Sequence, residues 1–315
     1  GIETTKVSHQ WIQKCNEMDK VIFVSSHSKN VFDNTEYQVK NEQTGEQFIL
    51  RSQVPTEFVN YPVKTFSDLP DLDLEIDSDF NFLTVAQFGP RKNLQNTIKW
   101  FVEENMDQEV GLVLKTSIKN NSYVDREHME QLVRSCVPDI PERKCKVYLL
   151  HGDLSDEEMH MLYKHKSIHA IVSLTHGEGF GLPLFEAAYC GLPVLATDWS
   201  GHLDFLYKPT KNKKGKTKVK PHFARVEYDL RPVQPSAVWD GVIQKDSLWA
   251  FAQQGSYKMK LREVYKDYNR FKLQAKKLKT WINKEFDQEK QLNLFNNIVF
   301  PWLSLNDELD LVEFG

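Results

Sequence analysis

The stretch Thr175-His176-Gly177-Glu178-Gly179-Phe180-Gly181-Leu182-Pro183-Leu184-Phe185-Glu186-Ala187-Ala188 follows the apolar run Ala170-Ile171-Val172-Ser173-Leu174 and leads into a short helical pattern that ends at Gly191. Gly177, Gly179 and Gly181 stand at alternate positions, so the backbone can turn sharply and bring its N–H groups close to a ligand. Pro183 presets the first turn of the helix that follows. A strand, a glycine-rich turn and a helix N-terminus together form an anion site. Glu178 sits in the turn and Glu186 on the helix, eight residues on. Carboxylates repel phosphate, but their oxygens accept hydrogen bonds from sugar hydroxyls. A nucleotide sugar satisfies both demands.

Outward from this stretch, further buried-strand runs occur at Phe82-Leu83-Thr84-Val85-Ala86, Gly111-Leu112-Val113-Leu114, Lys146-Val147-Tyr148-Leu149-Leu150 and Pro193-Val194-Leu195-Ala196-Thr197. Between them lie helical patterns: Leu94, Ile98, Phe101 and Val102, then about 125–136, then 156–164. Strands alternating with helices predict an α/β chain with a Rossmann-like, doubly wound parallel sheet and a ligand crevice at the carboxyl ends of its strands. Residues just after strands are therefore candidates. Arg91 and Lys92 follow the Gly89-Pro90 turn as a cation pair for phosphate, and Lys115 follows the next strand.

The expected organisation is a partial N-terminal α/β domain over 1–65, an acidic linker over 66–81, a donor domain over 82–290 and a tail over 291–315. In the first part a helix over 7–18, a strand at 21–24, a hairpin over 36–50 turning at Gln43-Thr44-Gly45 and a strand over 58–63 are predicted. Asp68, Asp71, Asp73, Asp77 and Asp79 mark the linker as solvated. Residues 208–220 hold seven lysines and no acid, predicting a loop that does not pack on itself. From Leu261 to Phe286 the apolar spacing predicts a long charged helix or helix pair.

The chain has 315 residues, 40 basic and 44 acidic side chains and a net charge of −4. That balance offers no general footprint for nucleic acid. No apolar run reaches the roughly 20 residues that span a bilayer. Cys15, Cys136, Cys145 and Cys190 have no C-x-x-C spacing, which argues against a disulfide frame or structural zinc and for a cytoplasmic setting. The chain opens without Met, as though inside a domain, and is expected to be part of a longer one.

The run Glu178 to Val194, E-G-F-G-L-P-x-x-E-A-x-x-x-G-x-P-V, resembles the donor-site signature of retaining GT-B glycosyltransferases of the family-4 type. Val85 to Asn93, Asp156 to Tyr163 and Asp198-Trp199-Ser200-Gly201-His202 resemble its supporting segments. The likeness covers roughly residues 80–290, and residues 1–65 resemble the end of the acceptor domain. The resemblance implies transfer of a hexosyl group from a nucleoside diphosphate sugar (UDP-, GDP- or ADP-linked) to a carbohydrate, lipid-linked or other hydroxyl acceptor, with no metal and no resident cofactor. It places Glu186 on the ribose hydroxyls and Glu178 on the donor sugar. The amides near Gly179, Phe180 and Gly181, with neighbouring Gly177 and Leu182, would meet sugar or diphosphate. The family's diphosphate lysine falls on Lys92. Gln87 stands where the family carries arginine, and Ala86 where glycine is common, so Arg91 becomes the candidate second cation. Such a pair stabilises the charge that grows on a departing diphosphate. His176 would either touch the donor sugar or be satisfied by loop backbone; His202 and Trp199 sit near diphosphate or acceptor in the family.

Other readings fare less well on the residues. Gly177-x-Gly179 with Asp198 imitates a dinucleotide fingerprint, but the third glycine comes one place early and Glu178 would oppose a pyrophosphate. His176-x-Glu178 lacks the P-C-x-x-C of zinc deaminases. Asp71-x-Asp73 lies in the acidic linker rather than in a sheet. A non-catalytic nucleotide-sugar binding module is the rival reading, and the lysine run leaves peripheral contact with an anionic membrane open.

Overall fold

A computed structural model describes residues 2–40, 45–211 and 215–301. The expected hairpin turn at Gln43-Thr44 and most of the expected tail lie outside the described residues. The chain opens with α1 (His9–Cys15), β1 (Val21–Phe23), α2 (Ser26–Asn34), the antiparallel pair β2 (Glu36–Lys40) and β3 (Gln47–Arg51), and β4 (Thr56–Phe58). Ser25 caps α2 by accepting from the Ser28 N–H, which satisfies an otherwise orphaned donor. β4 pairs parallel with β1. Ile2, Val7, Ile12, Phe32, Leu50 and Val54 form a small core under this part.

The main body continues with β5 (Phe80–Val85), α3 (Leu94–Asn105), β6 (Val110–Lys115), α4 (Tyr123–Cys136), β7 (Lys146–Leu150), α5 (Asp156–Lys164), β8 (Ala170–Ser173), α6 (Leu182–Cys190), β9 (Val194–Thr197) and α7 (Leu203–Leu206). The hairpin β10 (Tyr207–Lys211) and β11 (Thr217–Pro221), then β12 (Ala224–Val226), the antiparallel pair β13 (Tyr228–Pro232) and β14 (Leu248–Ala252), and α8 (Gln254–Lys266), α9 (Tyr268–Glu285) and α10 (Gln288–Val299) complete it.

Six strands form one parallel sheet in the order β12-β9-β8-β5-β6-β7. The chain builds outward from β5 to β7, then returns to the other side of β5 with β8, so the order reverses between β5 and β8. That switch point opens a crevice at the carboxyl ends of the strands. Alternate residues of each strand feed opposite layers. Leu83, Val113, Ile171 and Ala196 pack with α5, α6 and α9 on one face. Phe82, Leu112, Leu114, Val172 and Leu195 pack with α3, α4 and α8 on the other. Burial on both faces explains why these strands read as continuous apolar runs.

Four expectations change. The strand expected over 58–63 is β4 and ends at Phe58. Beyond it Pro62 has no N–H for a ladder, and Val63 donates to the Phe286 carbonyl instead. The linker expected over 66–81 is neither free nor fully solvated: β5 begins at Phe80. Leu72, Leu74 and Ile76 pack half-buried against the main core while Asp71, Asp73, Glu75 and Asp77 face water. This is an extended strap whose side chains alternate. The lysine run is a paired hairpin, with Tyr207 opposite Pro221 and Lys211 opposite Thr217, because its backbone ladder closes while most of its described lysines point outward. The boundary at 290 falls inside α10, which Asp287 caps by accepting from the N–H groups of Glu289 and Lys290. The expected long charged segment is a helix pair, α8 and α9, divided at Asp267.

Candidate functional site

The two loops flanking the switch point are fastened to each other. After β5, Asn93 adopts a left-handed conformation and its Nδ2 donates to the Leu174 carbonyl at 3.2 Å. The Arg91 carbonyl accepts from the His176 N–H at 2.8 Å. Arg91 Nη1 in turn donates to the Gly177 carbonyl at 2.7 Å and to Glu178 Oε2 at 3.1 Å. Lys92 Nζ donates to Glu178 Oε1 at 2.5 Å. The Glu178 carboxylate is thus held between two cations, with side-chain exposures of 10% for Glu178, 17% for Lys92 and 29% for Arg91. Burial alone would raise the Glu178 pKa, but the Lys92 and Arg91 charges outweigh it and hold the group below its ordinary value. Burial lowers Lys92, against the pull of Glu178.

The glycines of the turn have distinct tasks. A Cβ on Gly177 would lie 2.0 Å from the Glu3 carbonyl oxygen and 2.8 Å from the Trp199 ring, so its bareness accommodates the protein's own N-terminal segment. Gly181 takes φ +91°, and α6 starts at Leu182 with no side-chain cap, leaving first-turn N–H groups free to meet an anion. The Gly179 carbonyl packs against Gly201, where a Cβ would come within 2.2 Å. The Phe180 ring is buried among Tyr61, Phe185 and Phe205, so only its backbone is available to a ligand. Leu182 is partly exposed at the rim.

A cavity of about 450 Å³ lies across the carboxyl ends of β5, β6 and β7, lined by Gln87, Lys92, Lys115, Asn121, Asp153 and Pro183 among others. Lys115 Nζ is held by the Gly152 carbonyl, and burial lowers its pKa. Glu186 stands one turn into α6, where Tyr163 of α5 donates to its Oε2 at 3.0 Å; burial raises its pKa. Arg91, Lys92, Gly177 and Glu178 are therefore in direct contact, Lys92 and Lys115 share the cavity, and Glu186 pairs with Tyr163 rather than with Glu178. His176 turns away from that cavity. Its Nδ1 donates to the Ala250 carbonyl at 2.6 Å, its ring stacks on Trp249, and it lines a second cavity of about 420 Å³ on the far side of the 88–94 loop. Among the described residues no group of three His, Cys, Asp or Glu is placed to hold a metal ion.

Ser200 and His202 belong to the Asp198-Trp199-Ser200-Gly201-His202 segment singled out in the sequence, whereas Asp125 does not. Ser200, in a positive-φ conformation, accepts the Glu178 N–H at 2.9 Å. Fully buried His202 donates from Nε2 to the Thr197 carbonyl at 2.7 Å, and burial lowers its pKa. Asp125 accepts from the N–H groups of Ile118, Lys119 and Asn120 and from His151 Nε2 at 2.9 Å. The His151 hydrogen bond, with those amides and against desolvation, holds its carboxyl well below the ordinary range. Asp125 thereby fixes the loop that carries Lys119 and Asn121 into the cavity wall, and Asn121 bonds to Asp153 across it. A signal for Asp125 exists: Ser122-x-x-Asp125 is a helix-start pattern, and Ser122 does cap α4.

Residues 73–213 match the family model described as glycosyl transferases group 1. This region runs from the strap before β5 to β10, holds five of the six strands of the sheet, β12 excepted, and contains every candidate residue of the site. The curated Serotype-specific mannosyltransferase WbdA of Escherichia coli is 32% identical over 122 residues, which cover 38% of this chain and 13% of that protein. Sucrose-phosphate synthase from Thermosynechococcus elongatus superposes with a TM-score of 0.60 at 15% identity, covering 94% of this chain and 61% of that one. The pneumococcal O-GlcNAc transferase GtfA, solved in complex with UDP and GlcNAc, gives 0.51 at 16% identity over 94% of this chain and 47% of its own. At such identities the structural likeness is one of fold. The architecture is the GT-B α/β type. The chain spans less than two thirds of each of these proteins.

Proposed function

We propose that this chain grips a nucleoside diphosphate sugar at the β5/β8 switch point and passes its hexosyl group to a hydroxyl acceptor with retention of configuration. The observation that carries this reading is the Glu178 carboxylate clamped by Arg91 and Lys92 beside the uncapped start of α6. Two cations that already hold one anion can hold another. A donor diphosphate, with more oxygens and more charge, competes with Glu178 for Arg91 and Lys92, while the N–H groups at the start of α6 meet it from the other side. Glu178, displaced, becomes an acceptor for donor sugar hydroxyls. As the sugar–diphosphate bond breaks, the acceptor oxygen bonds to the same sugar carbon and its proton passes to the leaving diphosphate. The negative charge gathering on that diphosphate falls on the same two cations, which lowers the barrier. Glu186, with one oxygen occupied by Tyr163, has lone pairs left for the ribose hydroxyls. The group 1 match over 73–213 and the UDP and GlcNAc bound to GtfA support the substrate class.

A thermal-shift panel with UDP, GDP and ADP tests the reading. One of the three stabilises the chain, and Glu186→Ala removes the effect. No shift at millimolar nucleotide would end the proposal. Nucleotide binding without donor hydrolysis or transfer would leave a binding module in place of a catalyst.

A further inference from the structure

The lysine hairpin and α9 form one surface. Lys208 of β10 donates from Nζ to the Lys277 carbonyl, and Gln274 of α9 donates to the Pro221 carbonyl at the end of β11. Both strands are thus tied to the helix, and the cations of the two elements share a face. From the hairpin come Lys218 and Lys220, which leave the ribbon on the same side as Lys208, and from the outer side of α9 come Lys272, Lys276 and Lys277; all five are exposed. The chain as a whole carries −4, and the strap over 71–77 faces water with its acids, whereas the described residues of the hairpin carry no acid. One apolar side chain stands out among these lysines, Leu273 on α9, which is 61% exposed; Val219 leaves the ribbon on the opposite side, with Pro209. Beside Leu273 a groove of about 730 Å³ runs between the end of α6, at Cys190 and Gly191, and the stems of Lys272, Lys276 and Lys279.

We propose that this face docks on the surface of an anionic phospholipid bilayer. Cations around an exposed aliphatic side chain and its groove match a layer whose headgroups are negative and whose interior begins a few ångströms below. Lysine stems can lie along the apolar groove while their ammonium groups reach the headgroup phosphates. A nucleic acid partner fits less well, because the exposed large apolar residue on this face, Leu273, is aliphatic, with no ring on which a base could stack. The nucleotide cavity lies at the carboxyl ends of β5 to β7 and shares no lining residue with this groove. The proposal therefore stands apart from the reading of the donor site.

Co-sedimentation of the whole chain with phosphatidylcholine vesicles, with and without phosphatidylglycerol, tests it. Binding is expected only with phosphatidylglycerol and is expected to weaken as salt is raised. Removing the two charges of Lys218 and Lys220 together, as Lys218→Gln/Lys220→Gln, lowers the partition coefficient by about thirtyfold, near fivefold for each lysine. Leu273→Ser lowers it further, and thermal denaturation shows both variants folded, as exposed substitutions should be. Failure of the wild-type chain to sediment with anionic vesicles would overturn the proposal. So would binding unchanged in the lysine pair variant. Binding indifferent to Leu273→Ser and abolished by competing single-stranded RNA would mark a polyanion face and overturn it equally.

Discussion

Among the described residues Glu178 is the one acid in direct contact with both Arg91 and Lys92, and its replacement separates folding from binding. Glu178→Gln leaves Arg91 and Lys92 facing each other without an anion, which costs about 3 kcal/mol of stability, in the range for a broken buried pair. The same change removes the internal competitor for those cations. The nucleoside diphosphate that stabilises the chain should therefore bind Glu178→Gln about tenfold more tightly than wild type, the equivalent of one charge-assisted hydrogen bond, while transfer from its sugar conjugate collapses. Calorimetry that shows weaker binding of that nucleotide in this variant would contradict the competition. The ionised Glu178 stabilises the fold above its unfolded pKa of about 4.3, and this is lost as pH falls through the lower folded value. Glu186 moves the other way: burial raises its pKa, so it protonates earlier on acidification than a surface carboxyl. Nucleotide affinity should fall as pH drops through that raised value, and Glu186→Gln should flatten this limb of a calorimetric pH profile. The residues of the clamp were legible because Gly89-Pro90-Arg91-Lys92 and the glycine turn both follow apolar runs. The inward use of Gly177 was not, because its neighbour Glu3 is remote in sequence and touches it through backbone.

At the scale of elements, the carboxyl ends of β6 and β7 are shaped by Asp125 and His151. Asp125→Asn leaves one carboxamide oxygen where two carboxylate oxygens gathered three N–H groups and His151. Hydrogen exchange at Ile118, Lys119 and Asn120 should accelerate by about tenfold or more, with the core strand β5 unchanged; unaltered exchange would show that the loop is held by something else. Gly111 in β6 is fixed by space rather than by conformation: a Cβ there would fall 1.9 Å from Asn81 Oδ1 and 2.5 Å from Ser78 Oγ. Gly111→Ala should destabilise by about 3 kcal/mol in a denaturant titration, as overpacked sites do. The parallel strands were readable because burial on both faces writes unbroken apolar runs. The 71–77 strap and the 207–221 hairpin were misread for a common reason. In each, charged residues dominate the composition, while the structural information lies in sparse apolar positions, Leu72, Leu74 and Ile76 in one and Tyr207, Pro209 and Val219 in the other.

Across the whole molecule, the N-terminal part is bonded to the rim of the donor site. Asp204 at α7 accepts from the Ser26 N–H and hydroxyl and from Asn60 Nδ2, and Ser28 lies against the Gly179 carbonyl. Thr5 and Leu248 exchange two hydrogen bonds. Asp204→Ala should loosen residues 20–60 and expose them to limited proteolysis while the six-stranded sheet persists; equal protease resistance would refute that coupling. A doubly wound parallel sheet could be anticipated from the alternation of elements, whereas this docking could not, since its partners lie more than a hundred residues apart in the chain. The account as a whole rests on the exchange of one anion for another at Arg91 and Lys92. A crystal structure with a bound nucleoside diphosphate sugar tests that exchange directly. It should show the diphosphate between those two side chains and the start of α6, with the Glu178 carboxylate swung onto the sugar hydroxyls. A donor bound elsewhere, or Glu178 still bonded to both cations with the donor in place, would contradict it.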